Sequence, residues 1–289
     1  LFRSDMVLPD GGLQRMVDFL DEHADYGAIG LCRHPNRRFY RVDEWLNAHH
    51  VDMSCVLFRR DVLAKITFAD NWNAAQVLAG PQLALGANSP FFFGHHLWAE
   101  TRIELFAQAT DTRPDELKTQ GVRPRVWFGE RWITSIFDLF EENVRYFPSL
   151  LPEMSDEDPV AELADGRTPK LSELRLHNGT IYRWNRPVYD VVEGRPHLRV
   201  ENRVLPAGPT VLDMMANSAF YYGALRALSE EDRPLWTKMS FAAAHANFLE
   251  AAQNGMQARL YWPELGEVTP DELVLRQLLP LADEGLRRW

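Results

Sequence analysis

The spacing of apolar residues divides most of the chain into helical stretches and two extended runs. Leu97, Ile103 and Phe106 recur at helical spacing, which predicts an amphipathic helix within residues 97–110. Residues 69–91 predict a helix that breaks at Gly80–Pro81 and is followed by a small-residue segment ending in a turn. The same reasoning predicts further helices within residues 132–147, 210–228 and 238–253, and one that begins with a cap at 269–272.

Two strand-like runs, residues 174–191 and 196–205, flank the turn sequence Val-Glu-Gly-Arg-Pro and predict an antiparallel hairpin. With a period of two, the second run places polar residues on one face and apolar residues on the other. The polar face carries His197, Arg199, Glu201 and Arg203, and the other carries Leu198, Val200 and Val204, with Asn202 as the exception. Spacing alone leaves two interpretations open: a solvated face with cross-strand ion pairs, or the floor of an active site.

A carboxylate held on a strand between arginines suits phosphoryl transfer. Carboxylate oxygens bind Mg²⁺, a cation that shares its coordination shell with phosphates and water. Arginines can each hold a carboxylate or a phosphate through two parallel hydrogen bonds. If the polar face is a site, its residue types therefore favour acyl-phosphate chemistry, in which metal and arginine screen the negative charge of the moving phosphoryl group.

The first 67 residues have the pattern of a short α/β segment. They predict a helix after the turn at residues 8–12, strands within 26–31 and 51–60, and a helix over 61–66. The basic residues Arg33, His34, Arg37, Arg38 and Arg41 lie between the two strands, and a solvated loop is their simplest interpretation. Further along, the acidic, turn-rich residues 152–170 predict an exposed loop or linker.

Composition narrows the classes of function. Of 289 residues, 46% are hydrophobic and 25% charged, which is typical of globular proteins with one or two domains. The net charge of −10 argues against general nucleic-acid binding, which needs clustered Lys and Arg. No apolar run approaches the roughly 20 residues that span a bilayer, so we expect no membrane partner. Two cysteines, Cys32 and Cys55, form neither a disulfide framework nor a standard zinc site, which favours a reducing cytoplasm.

Three separated motifs resemble those of one enzyme family. They are ANSPFFFGHHLWAETRIELF at residues 87–106, YRWNRPVYDV at 182–191 and LRVENRVLPAGPT at 198–210. An Ala-Asn-Ser-Pro-Phe signature, a strand with Trp and Arg-Pro, and a Glu-x-Arg strand before a Gly-Pro turn resemble the type-2 glutamate–cysteine ligases, also called carboxylate–amine ligases. The resemblance covers about residues 68–289.

The resemblance implies a fold, a reaction and a set of site residues. The fold is α+β and similar to glutamine synthetase, with an antiparallel sheet that carries metal and substrate groups on its concave face and is backed by helices. The reaction uses ATP and Mg²⁺ to join the γ-carboxylate of glutamate to an amine through γ-glutamyl phosphate. The expected amine is that of cysteine. By resemblance, Glu201 binds the metal, Arg203 and Arg102 are catalytic, and Asn88, Ser89, Trp184, Arg186 and Arg199 bind substrate or ATP.

Other features depart from this family. Its glutamate-rich first strand and a later histidine-bearing strand have no counterpart here, so we expect weak or absent turnover from this chain. Residues 1–67 instead resemble a fragment of a family-2 glycosyltransferase, in which only Asp5 matches the Asp-x-Asp metal motif. We therefore predict two domains, 1–67 and 68–289, joined by a natural fusion or by sequence assembly.

Two alternative functions stay open at this point. One is nucleotide-sugar transfer with Asp5 and the basic residues around Arg37. The other is a non-catalytic remnant that folds with a partner, since missing strands would leave open sheet edges. The amine acceptor, the adenine-binding residues and the oligomeric state have no readable signature in the sequence.

Overall fold

The computed structural model describes residues 28–32, 51–58, 68–111, 113–151 and 153–288, the first two ranges as strands only. The chain separates into two compact units. One unit comprises residues 68–206 and 233–273, and the other includes 207–232 and 274–288 with the two amino-terminal strands. Because helices and small, mostly antiparallel sheets occur together, the fold class is α+β, as expected.

The regular structure of the described residues is mostly helical. The strands are β1 (Ala28–Cys32), β2 (Val51–Phe58), β3 (Phe91–Phe92), β4 (His95–His96), β5 (Val126–Trp127), β6 (Tyr182–Arg183), β7 (Asn185–Val192), β8 (Arg195–Asn202), β9 (Leu260–Trp262) and β10 (Gly266–Val268). The α-helices are α1 (Phe68–Gly86), α2 (Thr101–Ala109), α3 (Asp115–Thr119), α4 (Ile136–Tyr146), α5 (Pro159–Ala164), α6 (Ser172–Gly179), α7 (Val211–Ser229), α8 (Phe241–Asn254), α9 (Pro270–Leu273) and α10 (Leu279–Arg287). Short 3₁₀ segments occupy Leu235–Thr237 and Gly255–Gln257, and a π-helical segment occupies Val274–Leu278.

The predicted break at Gly80–Pro81 is wrong, because α1 runs through both residues and ends at Gly86. Nearly all of this helix is buried, including the polar side chains of Asn73, Gln76 and Gln82. At Gly80 its backbone lies against α8: a Cβ added there would be 2.8 Å from Cβ of Asn247. The Gly-Pro pair therefore marks a close helix crossing, and tertiary packing keeps the helix continuous despite the hydrogen bond that Pro81 cannot donate.

The predicted hairpin is confirmed as β7 and β8, which pair antiparallel from Asn185–Asn202 to Val192–Arg195. Glu193 and Gly194 connect them with φ of 51° and 75°, the left-handed conformations that a two-residue type I′ turn requires. The first run was predicted to be extended from residue 174, but residues 172–179 form α6 instead. Leu174 and Leu176 alternate with the polar residues Arg175 and His177, so the local pattern favours a strand and gives no signal for this helix.

The hairpin packs one face on α1 through buried polar contacts. The indole Nε1 of Trp72 donates to the backbone oxygen of Asn185 at 2.9 Å, and the amide of Asn185 donates to Gln76 at 2.7 Å. On the same face, Val200 packs against the cluster around Trp72. Because side chains alternate across a strand, the polar residues of β8 lie on the opposite face.

Most of the other predicted elements are confirmed. Helices α2 and α4 lie within the predicted ranges, α7 and α8 extend one residue past theirs, and α9 begins at the predicted cap. Thr210 and Asp213 form the capping box at the start of α7. The acidic stretch 152–170 is mostly exposed, but it also contains the short helix α5, whose first turn is capped by the Asp158 side chain. A proline at the first helical position and a capping aspartate explain this helix.

The amino-terminal predictions are confirmed only where the structure describes them. Strands β1 and β2 match the predicted strands and pair antiparallel. The two predicted helices before residue 67, Asp5 and the basic residues at 33–41 lie outside the described residues. The boundary between residues 67 and 68 stays a prediction.

In the described part of the chain each sheet has two strands, and β5–β6 is the parallel pair. The larger sheet implied by the resemblance to glutamine synthetase therefore also stays a prediction. No helix among these residues is long and apolar enough to cross a membrane.

The contact at Gly80 gives a test of the α1–α8 crossing. We expect Gly80→Ala to lower the free energy of unfolding by about 1–3 kcal/mol, because the new methyl group forces two backbones apart. Gly179→Ala is the matched control, since nothing lies within 4 Å of a Cβ added at this helical glycine. Urea unfolding measures both variants, and equal stability of the two would contradict the close crossing.

Candidate functional site

The polar face of the hairpin brings a carboxylate and two arginines into direct contact. The register places Arg186 of β7 opposite Glu201 of β8. One oxygen of Glu201, Oε2, lies 2.7 Å from Nε of Arg186 and 3.0 Å from Nε of Arg203. The structure thus brings three of the predicted site residues together in one group, which we call the Glu201 cluster.

The Glu201 cluster carries an excess of positive charge. Two guanidinium groups share one carboxylate, and the side chain of Glu201 is 39% exposed while those of the arginines are about half as exposed. Burial lowers the pKa of Arg186, and the charge of Arg203 lowers it further, while Glu201 opposes both effects. A second anion would relieve this repulsion, so the cluster is suited to bind a phosphate or a carboxylate.

Arg199 lies on the same face, between the Glu201 cluster and the turn. Its Nη1 is 2.5 Å from Nε2 of His197, which requires a neutral imidazole acting as the acceptor. Burial, followed by the charge of Arg199, lowers the pKa of His197. Across the hairpin, Asp190 is opposite His197 and forms an ion pair of 2.7 Å with Arg175 of α6.

A pocket of about 510 Å³ lies beside this face, between α6 and the hairpin. Its charged lining residues are Glu153, Glu173, Arg175, Arg186, Asp190 and Arg199. Glu173 accepts hydrogen bonds from the backbone and hydroxyl of Ser155, which holds the segment at 153–155 against α6 and closes one side of the pocket. The volume is within the range of ligand sites in proteins.

The segment with Asn88 and Ser89 lies at the carboxyl end of β8, the end that carries Glu201 and Arg203. The backbone of Asn88 donates to Oε2 of Glu100 at 2.9 Å, and Ser89 forms a bridge with Glu100. Arg102 pairs with Oε1 of the same glutamate at 2.9 Å and donates to the backbone oxygens of Arg203 and Val204. Arg102 therefore joins this segment to the end of β8, and its predicted catalytic role is untested by these contacts.

Trp184 precedes the hairpin and is 3% exposed. Its ring lies against Phe106, Tyr182 and Phe248, and its backbone oxygen accepts from the backbone of Arg203 at 2.8 Å. The tryptophan thus supports the strand end that carries Arg203 from within the core. A direct contact of Trp184 with substrate stays a prediction.

The Glu201 cluster could supply one protein ligand to a magnesium ion. Among the described residues, no group of three or more His, Cys, Asp or Glu side chains could hold a metal ion. Glu201 offers one oxygen, Oε1, that takes part in neither of its ion pairs. Mg²⁺ often keeps several waters and binds through one or two carboxylates together with substrate phosphates, and a single oxygen from Glu201 suits that mode.

Sequence reasoning missed the second wall of the pocket. A period-two interpretation of β7 would have placed Asp190 on the polar face with Arg186, so that signal was available. Glu153, Glu173 and Arg175 had no such signal. Glu153 lies in the predicted loop, Arg175 in a run predicted as strand, and Glu173 between the two, whereas the structure places Glu173 and Arg175 on α6.

Comparison with known proteins gives one match. Residues 64–288 match the model of glutamate-cysteine ligase family 2. No curated protein and no solved structure matches the chain. The match begins just before the predicted boundary at residue 68, and no comparison shows the glycosyltransferase resemblance of the residues before it.

The contacts of Arg102 predict a structural effect of its removal. We expect Arg102→Gln to lower the free energy of unfolding by about 2–3 kcal/mol, because Glu100, which is fully buried, loses its cationic partner. Arg145→Gln is the control, since its pair with Glu141 is exposed on α4 and should contribute about 0.5 kcal/mol or less. Urea unfolding distinguishes them, and an unchanged stability of Arg102→Gln would contradict this structural role.

The environment of His197 predicts a pH effect. Since its pKa is lowered in the folded chain, the unfolded chain binds more protons, and stability falls as pH drops below the usual histidine value of 6.5. We expect an NMR titration to place the His197 pKa below 6.5 and to find it higher in Arg199→Gln. A His197 pKa at or above 6.5 in the unmodified chain would contradict the described contact.

Proposed function

We propose, from the premise that the chain belongs to glutamate-cysteine ligase family 2, that it is an ATP-dependent carboxylate–amine ligase. The reaction joins the γ-carboxylate of glutamate to an amine, with cysteine as the first acceptor to test. The observation that carries the proposal is the Glu201 cluster, in which Arg186 and Arg203 converge on one carboxylate. The family match supports the class of reaction, and the cluster supports its location.

In the first proposed step, an oxygen of the γ-carboxylate of glutamate attacks the γ-phosphorus of ATP. The bond between that phosphorus and the β,γ-bridging oxygen breaks, ADP leaves with the electron pair, and γ-glutamyl phosphate forms. Arg186 and Arg203 would bind the phosphoryl oxygens, because their shared carboxylate leaves one of their positive charges unbalanced. Arg102 would act by holding the backbone of Arg203 in place.

Mg²⁺ would screen the phosphate charges of ATP, and Glu201 would offer it Oε1, the oxygen that its two ion pairs leave unused. In the second step, the amine nitrogen attacks the carbonyl carbon of the acyl phosphate. The amine loses a proton, the carbon–oxygen bond to phosphate breaks, and an amide and inorganic phosphate are released. Arg186 and Arg203 would stabilise the departing phosphate by the same contacts.

The test is ADP release from the whole chain with ATP, Mg²⁺, glutamate and cysteine. We expect slow turnover that requires both amino acids, with formation of the γ-glutamyl amide. ATP hydrolysis that is indifferent to glutamate would contradict the ligase reaction.

Removing the charge of Glu201 tests the site. We expect Glu201→Gln to reduce turnover about 100-fold or more, because the arginines lose their shared partner and the metal loses its protein oxygen. Glu193→Gln makes the same chemical change in the exposed turn of the same hairpin and should leave turnover unchanged. Turnover that survives Glu201→Gln would exclude the proposed metal role.

A further inference from the structure

We propose that the pocket between α6 and the hairpin binds the amine acceptor, and that this acceptor is an α-amino acid whose carboxylate pairs with Arg199. The inference rests on the proposed ligase function, because only that reaction makes the bound amine an acceptor. Its basis is the charge left on the pocket wall after the internal ion pairs are formed.

Three arginines and three carboxylates line the pocket, so the wall as a whole is electrically balanced. Arg175 is paired with Asp190 at 2.7 Å, and Arg186 with Glu201 at 2.7 Å. Arg199 pairs with no carboxylate in the described part of the chain, and its polar contact is the neutral acceptor nitrogen of His197. One guanidinium therefore faces the pocket without a counter-charge.

Carboxylates occupy the opposite side of the pocket. Glu153 is exposed at the rim, and Glu173 is held beside it by Ser155. An α-amino acid carries one negative and one positive group, which match Arg199 and these glutamates respectively. A nucleotide triphosphate carries several negative charges and no positive group, so the glutamates disfavour it here.

The remaining lining indicates the kind of side chain that fits. Leu174, Leu176 and Val188 line the pocket together with Tyr189, whose hydroxyl donates to the backbone oxygen of Pro169 at 2.6 Å. An uncharged side chain, such as a thiol or a small apolar group, would contact this surface without burying a charge. Glutamate would bring a second carboxylate against it.

The pocket also lies where an acceptor is needed. Arg186 lines the pocket and pairs with Glu201, so the pocket and the Glu201 cluster share this side chain as a common wall. An amine bound in the pocket is therefore next to the place where the acyl phosphate would form. His197 acts here as a positioning residue, because its neutral ring nitrogen fixes the guanidinium of Arg199.

The experiment is calorimetric titration of the whole chain in the presence of Mg²⁺ and a non-hydrolysable ATP analogue. The probes are L-cysteine, cysteamine, which lacks the carboxylate, 3-mercaptopropionate, which lacks the amine, and L-glutamate. We expect cysteamine to bind about 10- to 100-fold more weakly than cysteine, because a charge-assisted hydrogen bond is lost. Arg199→Gln should weaken cysteine by the same factor and leave cysteamine unchanged.

Matched variants separate the pocket from general effects of charge. Arg195→Gln removes an exposed arginine from the turn end of the same strand and should leave every affinity unchanged. Arg199→Lys keeps the charge and should bind cysteine with intermediate affinity, and a melting curve establishes that each variant is folded. Glu153→Gln should weaken cysteine and leave 3-mercaptopropionate unchanged.

Three results would overturn the inference. The first is that Arg199→Gln weakens the binding of cysteine and cysteamine equally. The second is that Arg199→Gln weakens the binding of glutamate and not that of cysteine. The third is that cysteine does not bind to the unmodified chain. Failure of the ligase reaction is separate, since it is measured as missing glutamate-dependent ADP release. If that reaction fails while Arg199 still discriminates cysteine from cysteamine, the pocket remains an amino-acid site and only its role as an acceptor site falls.

Discussion

Asn185 opens the hairpin at a buried position, where its amide donates to Gln76 and its backbone oxygen accepts from Trp72. These contacts attach the hairpin to α1, and the placement of the charged residues that the hairpin contributes to the candidate site depends on them. A shift of one residue in the register would move Glu201 and Arg199 onto the buried face. The desolvation cost of such a shift is large, so the buried amides specify the register more strongly than the exposed ion pairs do.

The charges of the site are arranged in two adjacent groups with different balances. At one end, two arginines share Glu201, and the surplus of positive charge suits an anion such as a phosphoryl group. At the other end, three arginines and three carboxylates line the pocket, and the balance suits a ligand with both charges. Arg186 belongs to both groups, which gives the proposed acyl phosphate and the proposed acceptor a common boundary.

The supporting residues explain why the signature motif includes positions that need not touch substrate. Glu100 is buried and accepts from both the backbone of Asn88 and the side chain of Arg102, so one carboxylate links the two ends of the segment at residues 88–102. Arg102 then donates to the backbone at the end of β8. Any role of Arg203 in binding phosphate depends on this attachment, even though Arg102 is itself occupied by internal contacts.

The sequence by itself determined the α+β class, most of the helices, the hairpin and the face shared by Arg199, Glu201 and Arg203, because these follow from local periodicity and turn chemistry. The continuity of α1 through Pro81 was decided by tertiary packing, which overrides local signals in a buried helix. Helix α6 is only partly buried and forms despite a strand-like alternation of Leu174 and Leu176, and its buried residue Asn178 donates to the backbone oxygen of Pro187 in the hairpin. The pocket could not be predicted from the sequence either. Its second wall joins Glu153 and Glu173 to the hairpin through contacts between distant segments, and no local pattern encodes such contacts.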